Sequence, residues 1–329
     1  MKIFFEGDLQ IYKSFSEYQS ESARFEATKL YIEWVLNNPK LNNKEVIYFS
    51  LGDFFENSLP SPEEYNLGLH YLSNGEWKEK YLLAGNHDYN RIKDSYSIDP
   101  FSKLPNTTLI KKPGVMTNFG DLRVLTLPYY YDHIFTDLKS MKEEYENMSG
   151  EYDLVVTHIQ DESQEFGDRG SIDISKLKGN RIQGHIHAVE NNLSGYVNSP
   201  IPCTKGEVLD KRYCFLYDTE TKWIEKIEIP NFLGYEEVIY PNELKEPTSP
   251  YTLYTIKDYV DKASTIDFYK SKNPDMYIKE MVRKKLQTLE DFKAEVHKKT
   301  TLDYWEDYSL ENKVDEQVYN LVLNKLKLL

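Results

Sequence analysis

The chain has only two cysteines, Cys203 and Cys214, among 329 residues. Two thiols cannot build a disulfide framework, and no CxxC spacing is present, so reduced thiols in a cytosolic setting are expected. Positive charge is also scarce. Against 40 Lys and Arg stand 54 Asp and Glu, a formal net charge of −14. A free-standing, non-specific nucleic-acid binder is usually basic, because phosphate neutralisation supplies most of its affinity. The chain as a whole is not of that kind, although bound metal would neutralise some of its carboxylates. No apolar run approaches the ~18 residues that a membrane span needs. The opening MKIFFEGDLQ has three apolar residues, Ile3, Phe4 and Phe5, before Glu6, too few for a signal-peptide core. These absences predict a soluble cytoplasmic protein, neither secreted nor membrane-bound.

What is present suffices for a large core. At 40% apolar, a chain of this length can fill one large α/β domain and a smaller one. Short apolar runs at residues 3–5, 46–51, 80–84, 122–128, 154–157 and 180–183 read as strands. Residues 22–36 space their apolar side chains at helical intervals and stop at Asn37-Asn38-Pro39. Residues 62–72 begin with Pro and two Glu, as a helix N-terminus does. Strands alternating with helices argue for an α/β layered fold. After Lys211 the pattern changes. Residues 213–217 and 223–229 form a predicted antiparallel hairpin, and 230–250 is a polar, Pro-bearing stretch expected to be a linker. Residues 251–260, 263–269 and 276–282 suggest a strand–helix–strand unit. From 289 to 329 the chain reads as helical, with Val314, Val318, Leu321, Val322, Leu326 and Leu329 on one face.

The chemistry sits just past the strands, where open α/β sheets place their ligands. Five segments stand out: Gly7-Asp8-Leu9-Gln10, Gly52-Asp53, Gly85-Asn86-His87-Asp88, Thr157-His158 and Gly184-His185-Ile186-His187. Their side chains are carboxylate, carboxamide and imidazole. That mix suits Mn²⁺, Fe²⁺ or Zn²⁺ better than a structural zinc or a calcium site. The seven groups Asp8, Gln10, Asp53, Asn86, His158, His185 and His187 are enough for two ions if one carboxylate bridges. Two such ions clamp phosphate oxygens and acidify a water. A lone GD or HxH pair means little; all five segments in this order, each at a strand end, make a specific signal. His185 and His187 are expected to alternate along an extended segment and so to point to one side. His70, His133 and His297 have no such company and read as ordinary residues. The tyrosines 129–131 are candidates for base stacking, although packing is the commoner role.

The order D-x-(H/Q), GD, GNHD, H and GHxH resembles the calcineurin-like metallophosphoesterases over residues 1 to about 230. Within them the layout is most similar to the SbcD-type, phage-like nuclease subunits of recombination and repair. The resemblance implies a metallophosphoesterase β-sandwich flanked by helices (1–230), a small α+β capping domain (231–285) and a helical tail (286–329). It implies that Asp8, Gln10, Asp53 and His187 hold a first divalent ion, that Asp53 bridges, and that Asn86, His158 and His185 complete a second. Mn²⁺ is the first choice, with Mg²⁺, Fe²⁺ or Zn²⁺ as alternatives. His87 would contact the phosphate and protonate the leaving oxygen, and Asp88 would orient His87 or its loop. The resemblance further implies DNA as substrate, a homodimer, and docking of the tail on an SbcC-type, SMC-like ATPase.

Two positions depart from the pattern. Gln10 stands where His is usual, which predicts a weaker or more exchangeable first metal, since imidazole is the better ligand for transition ions. Glu56 stands where the nucleases tend to carry His, and a carboxylate cannot bind phosphate as a cation does; it is left as a residue that orients a neighbour. The leading expectation is therefore a metal-dependent DNA exo- or endonuclease subunit. A phosphodiesterase or phosphatase acting on small molecules or proteins is the alternative within the family. A non-catalytic scaffold is the alternative outside enzymes.

Overall fold

The computed structural model describes residues 1–13, 22–129, 138–160, 172–187, 195–203, 205–207, 211–244, 249–259, 261–274 and 276–283. The expected helical tail, Tyr130, Tyr131, His133 and His297 lie outside the described residues. In chain order the strands are β1 (Lys2–Glu6), β2 (Val46–Ser50), β3 (Glu79–Leu83), β4 (Tyr89–Asn90), β5 (Ser95–Tyr96), β6 (Thr107–Ile110), β7 (Gly114–Phe119), β8 (Leu122–Leu127), β9 (Gly150–Thr157), β10 (Leu177–Gln183), β11 (Arg212–Asp218), β12 (Ile224–Ile229), β13 (Leu233–Ile239), β14 (Tyr251–Tyr259) and β15 (Tyr277–Arg283). The helices are α1 (Ala23–Leu36), α2 (Pro62–Asn74), α3 (Leu138–Asn147) and α4 (Lys262–Lys272).

Two sheets make the sandwich. The first runs β12-β11-β1-β2-β3-β6, the second β10-β9-β8-β7. Strands β1, β2, β3 and β6 are parallel, as are β8, β9 and β10. Alternation along each strand decides what each face meets. Ile3, Phe5, Ile47, Phe49 and Leu83 point inward and pack with Val124, Leu154, Val156 and Ile182 of the second sheet. Phe4, Tyr48 and Leu82, one residue out of phase, face the layer that carries Ala27, Tyr31 and Val35 of α1 and Tyr71 of α2. Both helices start as their sequences predict. The Ser22 side chain accepts from the Phe25 N–H, and Ser61 and Glu64 form a capping box with Pro62 at the first turn.

Glu6 closes the first sheet beneath this layer. It is fully buried and accepts from Tyr31 (2.7 Å), Tyr48 (2.5 Å) and Tyr71 (2.8 Å). Burial outweighs those three bonds and raises its pKa to about 7. One carboxyl thus ties the end of β1 to α1, β2 and α2.

The hairpin β11–β12 is as expected. The stretch 230–250 is not only a linker, because β13 lies in its first half and pairs in parallel with β14. Its sequence, LGYEEVI, puts two Glu among the apolar residues; Glu236 is half-buried, and Glu237 is exposed and pairs with Lys257 at 2.8 Å. The strand–helix–strand reading of β14, α4 and β15 matches, and β15 pairs parallel to β14. This three-stranded sheet packs on α1 through Leu233, with Tyr235, Leu253 and Tyr277 against the same cluster. No helix among the described residues is long and apolar enough to cross a membrane.

Candidate metal centre

The carboxyl ends of β1, β2, β3, β9 and β10 converge on one point of the sandwich rim. Close approach there requires glycine. A Cβ on Gly85 would lie 2.0 Å from the Asp53 carboxylate, and one on Gly52, at φ +106°, would lie 2.3 Å from His158 Nδ1. The backbone is also held in the left-handed region at three of the polar residues themselves: Gln10 (φ 43°), Asp53 (φ 48°) and His185 (φ 76°). Such conformations persist only where surrounding structure over-determines them.

Asp53 sits at the centre and is 1% exposed. Its Oδ1 accepts from the His87 N–H (2.8 Å), and its Oδ2 lies 3.2 Å from His158 Nε2. Two donor groups share it. Asp53, His158 and His185 bring ligand atoms within 4.8 Å of one another, and so do Asp8, Asp53 and His187. Asn86 joins the first group, its Oδ1 standing 3.1 Å from His158 Nε2 and 2.9 Å from His185 Nδ1. Asp8 anchors the second, 3.3 Å from His187 Nε2, while its carboxylate accepts from the His185 N–H at 2.9 Å. Because His185 has positive φ, the segment is not extended as expected. The two rings of His185-Ile186-His187 part, one towards each group.

Tautomers follow from the hydrogen bonds. His158 Nδ1 faces the Leu51 carbonyl at 2.7 Å, and His87 Nδ1 faces the Glu56 carbonyl at 2.6 Å. A carbonyl only accepts, so each Nδ1 carries a proton and each Nε2 is turned to the site. His87 remains partly open to solvent and its Nε2 is 4.0 Å from Asp53 Oδ2. Glu56 therefore orients His87 through its backbone; its carboxylate is 4.0 Å from the same ring nitrogen. Asp88 does not bond His87. It accepts from the Gly85 N–H (2.9 Å) and the Ser97 hydroxyl (2.9 Å), and so holds the loop. Burial first, then the Asp53 charge, raises the Asp88 pKa to about 7. Tyr129 stacks on the His185 ring, with centroids 6.2 Å apart.

The charges show what the pocket lacks. Burial opposes ionisation of Asp53, yet His158 and then His87 bring its pKa down to about 2. Burial opposes charging of His158, yet Asp53 and Asp8 lift it to about 9. His187, with Asp8, Cys203 and Glu207 around it, is pushed up to about 12 against its own burial. Burial and the neighbouring His158 hold His185 down to about 4. Protons on His158 and His187 thus balance the buried carboxylates. Divalent cations would balance them equally well, with neutral imidazoles turned into ligands. The donor set fits two such ions, with Asp53 between them.

Gln10 is the exception among the seven residues. It is buried and adjacent, and its N–H donates to the Asp53 carbonyl (2.9 Å). Its side-chain oxygen, however, accepts from the Cys203 thiol at 2.7 Å. Three neighbours here were not read from the sequence. Arg24 donates to the Gln10 carbonyl (2.6 Å) and to Cys203 Sγ (3.0 Å), and Glu207 lies 3.4 Å from His187 Nδ1. Cys203 and Glu207 directly follow no apolar strand, unlike the other segments, and so carry no such mark.

The calcineurin-like phosphoesterase family model matches residues 1–189. No curated protein matches. Among solved structures, an archaeal phosphodiesterase is 14% identical, covering 69% of this chain and 99% of its own, at a TM-score of 0.34. A protein of unknown function from Aquifex aeolicus is 16% identical, covering 54% of this chain and 88% of its own, at a TM-score of 0.27.

Proposed function

This chain belongs to the calcineurin-like phosphoesterase family, and we propose that it is a DNA nuclease subunit of the SbcD type that hydrolyses phosphodiesters at a two-cation site. The observation that carries the proposal is the sharing of Asp53 between two donor groups with His87 at their open side. Asp8, Asp53 and His187 would hold one cation, with Gln10 beside it. Asp53, Asn86, His158 and His185 would hold the other. When bound, the pair supplies positive charge to the phosphate oxygens and acidifies a water. An all-nitrogen-and-oxygen set is compatible with Mn²⁺ as the working ion, and with Mg²⁺, Fe²⁺ or Zn²⁺.

The chain's own residues do the rest. The Leu51 carbonyl fixes the His158 ring, and the backbone N–H groups of His87 and His185 hold the Asp53 and Asp8 carboxylates in place. The Glu56 carbonyl fixes His87 with Nε2 towards the reaction space, where it would hand a proton to the leaving oxygen. DNA as substrate, a homodimer, and an SbcC-type ATPase docked on residues 286–329 complete the proposal. A partner that grips DNA answers the net charge of −14.

Glu56 supports a second reading, a phosphodiesterase for small molecules, because its carboxylate beside His87 repels an extended polyanion. Assays with Mn²⁺ on linear duplex, nicked plasmid and single-stranded DNA, beside simple nucleotide esters, separate the two. Cleavage of DNA supports the nuclease. Turnover of the esters with none of DNA overturns it. Fewer than one bound ion per chain with Mn²⁺ in excess would leave only a scaffold.

A further inference from the structure

Beside the first cation seat, sharing His187 with it, lie two donors that the two-cation reading does not use, Cys203 and Glu207. His187, Cys203 and Glu207 bring ligand atoms within 4.8 Å of one another. Cys203 Sγ is also 2.7 Å from Gln10 Oε1, the carboxamide whose reach towards a cation is the weak point of that seat. Sulfur therefore stands where the donor set is short of a good ligand.

The sulfur faces acceptors and one cation: the thiol donates to Gln10 Oε1, lies 4.0 Å from Glu56 Oε2 and accepts from Arg24. Arg24 is 4% exposed, and a buried guanidinium needs a negative partner. Its two terminal nitrogens go to the Gln10 carbonyl and to Cys203 Sγ, its Nε has no hydrogen-bond partner, and among the described residues it pairs with no carboxylate. The loop is fixed from both sides. The Cys203 N–H donates to Glu207 (2.8 Å), and the Arg212 guanidinium donates to the Glu207 and Ser199 carbonyls. From the small sheet, the Tyr235 hydroxyl (3.1 Å) and Lys279 Nζ (3.5 Å) donate to the Cys203 carbonyl. A mobile surface thiol would need none of these anchors.

We propose that Cys203 is a thiolate ligand on the Gln10 and His187 side of the first cation seat, and that it makes this seat select thiophilic ions. On binding, the thiol proton is displaced to solvent and sulfur takes the cation. Glu207 holds the Cys203 backbone and faces His187 Nδ1, so it positions both. Thiolate widens the preference for Zn²⁺, Co²⁺ or Cd²⁺ over Mg²⁺ and Mn²⁺ beyond what carboxylate, carboxamide and imidazole alone give. The two seats would then differ in the ion they prefer. The inference rests on the two-cation reading of the same site.

The test is optical and needs no turnover. The full-length protein is loaded with Co²⁺, the bound metal is counted, and the near-ultraviolet spectrum is read for sulfur-to-cobalt charge transfer. The expected result is about two Co²⁺ per chain with a charge-transfer band. Cys203→Ser should lose the band although Cys214 remains, and Cys203→Ala should do the same. In competition with a chelator, Cys203→Ser should weaken Zn²⁺ and Cd²⁺ binding at one seat by roughly 10–100-fold and Mn²⁺ binding by much less. Circular dichroism of both variants checks that they fold, and the Ala and Ser variants guard against a local packing defect in one of them. Two bound Co²⁺ without a band, or a band that survives Cys203→Ser, overturns the inference and leaves the two-cation reading intact. A wild-type chain that binds no Co²⁺ overturns both.

Discussion

The two halves of the metal centre are built differently. The half around His158 and His185 is closed within the sandwich, made of residues that directly end strands or follow a strand and glycine: Asp53, Asn86, His158 and His185. Each ring there is fixed by a backbone carbonyl, a neighbouring ring or Asn86. The half around Asp8 and His187 is open to the rest of the fold: it recruits a thiol, a carboxylate and an arginine from elsewhere in the chain. It also touches the small C-terminal sheet through Tyr235 and Lys279. A seat made by the sandwich alone has its ligands set by strand geometry. A seat that borrows a wall from a loop and a second sheet can be tuned without disturbing the first.

Substitutions probe that contrast. Asp53→Asn removes the group common to both halves, so both cations should be lost together. Activity should fall beyond the ~10²–10⁴-fold that loss of a proton donor brings, and metal analysis should find well under one ion per chain. Retention of one full equivalent would mean that the halves do not share Asp53. His87→Ala should cost about 10²–10⁴-fold in kcat while both ions stay bound, because its Nε2 faces the reaction space and its Nδ1 is committed to Glu56. Metal loss in that variant would make His87 a ligand. Gln10→His should act on the open half alone. Imidazole in place of carboxamide should tighten one of two metal-binding steps by about 10-fold, as isothermal titration would read, and leave the other unchanged.

The closed half was legible in the sequence because its logic is local. An apolar run, a glycine and a polar residue fix a strand, a turn and a ligand together. Gly52 and Gly85 belong to the same pattern, since a side chain at either would meet His158 or Asp53. The open half was legible only at Asp8, Gln10 and His187. Cys203, Glu207 and Arg24 are brought in by tertiary contacts and leave no periodic trace. The sheet order shows the same limit. Hydrophobic runs located β1, β2, β3, β9 and β10, but β13 hides in a stretch whose charges look like a linker, since one of its sides faces water. Positive φ at His185 was likewise invisible, and it is what sends His185 and His187 to different seats.

Beneath both halves lies a polar cluster of a third kind, and it carries the smallest expected effect. Glu6 ends β1 just before Gly7-Asp8, and three buried phenols donate to it. Its pKa is raised from 4.5 to about 7, chiefly by burial. A carboxyl whose folded pKa exceeds its unfolded one favours the folded state below the unfolded value. That contribution fades as pH rises through the folded value. With a chelator present, so that metals do not contribute, wild-type stability should therefore decline between about pH 5 and about pH 8. Glu6→Gln keeps the shape but cannot ionise, and one of the two oxygens that accept from the phenols is replaced by an amide donor. It should cost about 1–2 kcal/mol at the acid end and flatten the slope towards alkaline pH, as urea midpoints at the two pH values would read. A slope unchanged by the substitution would mean that the phenols hold Glu6 ionised throughout. The metal halves would then rest on a charged anchor, not on one that is neutral in acid.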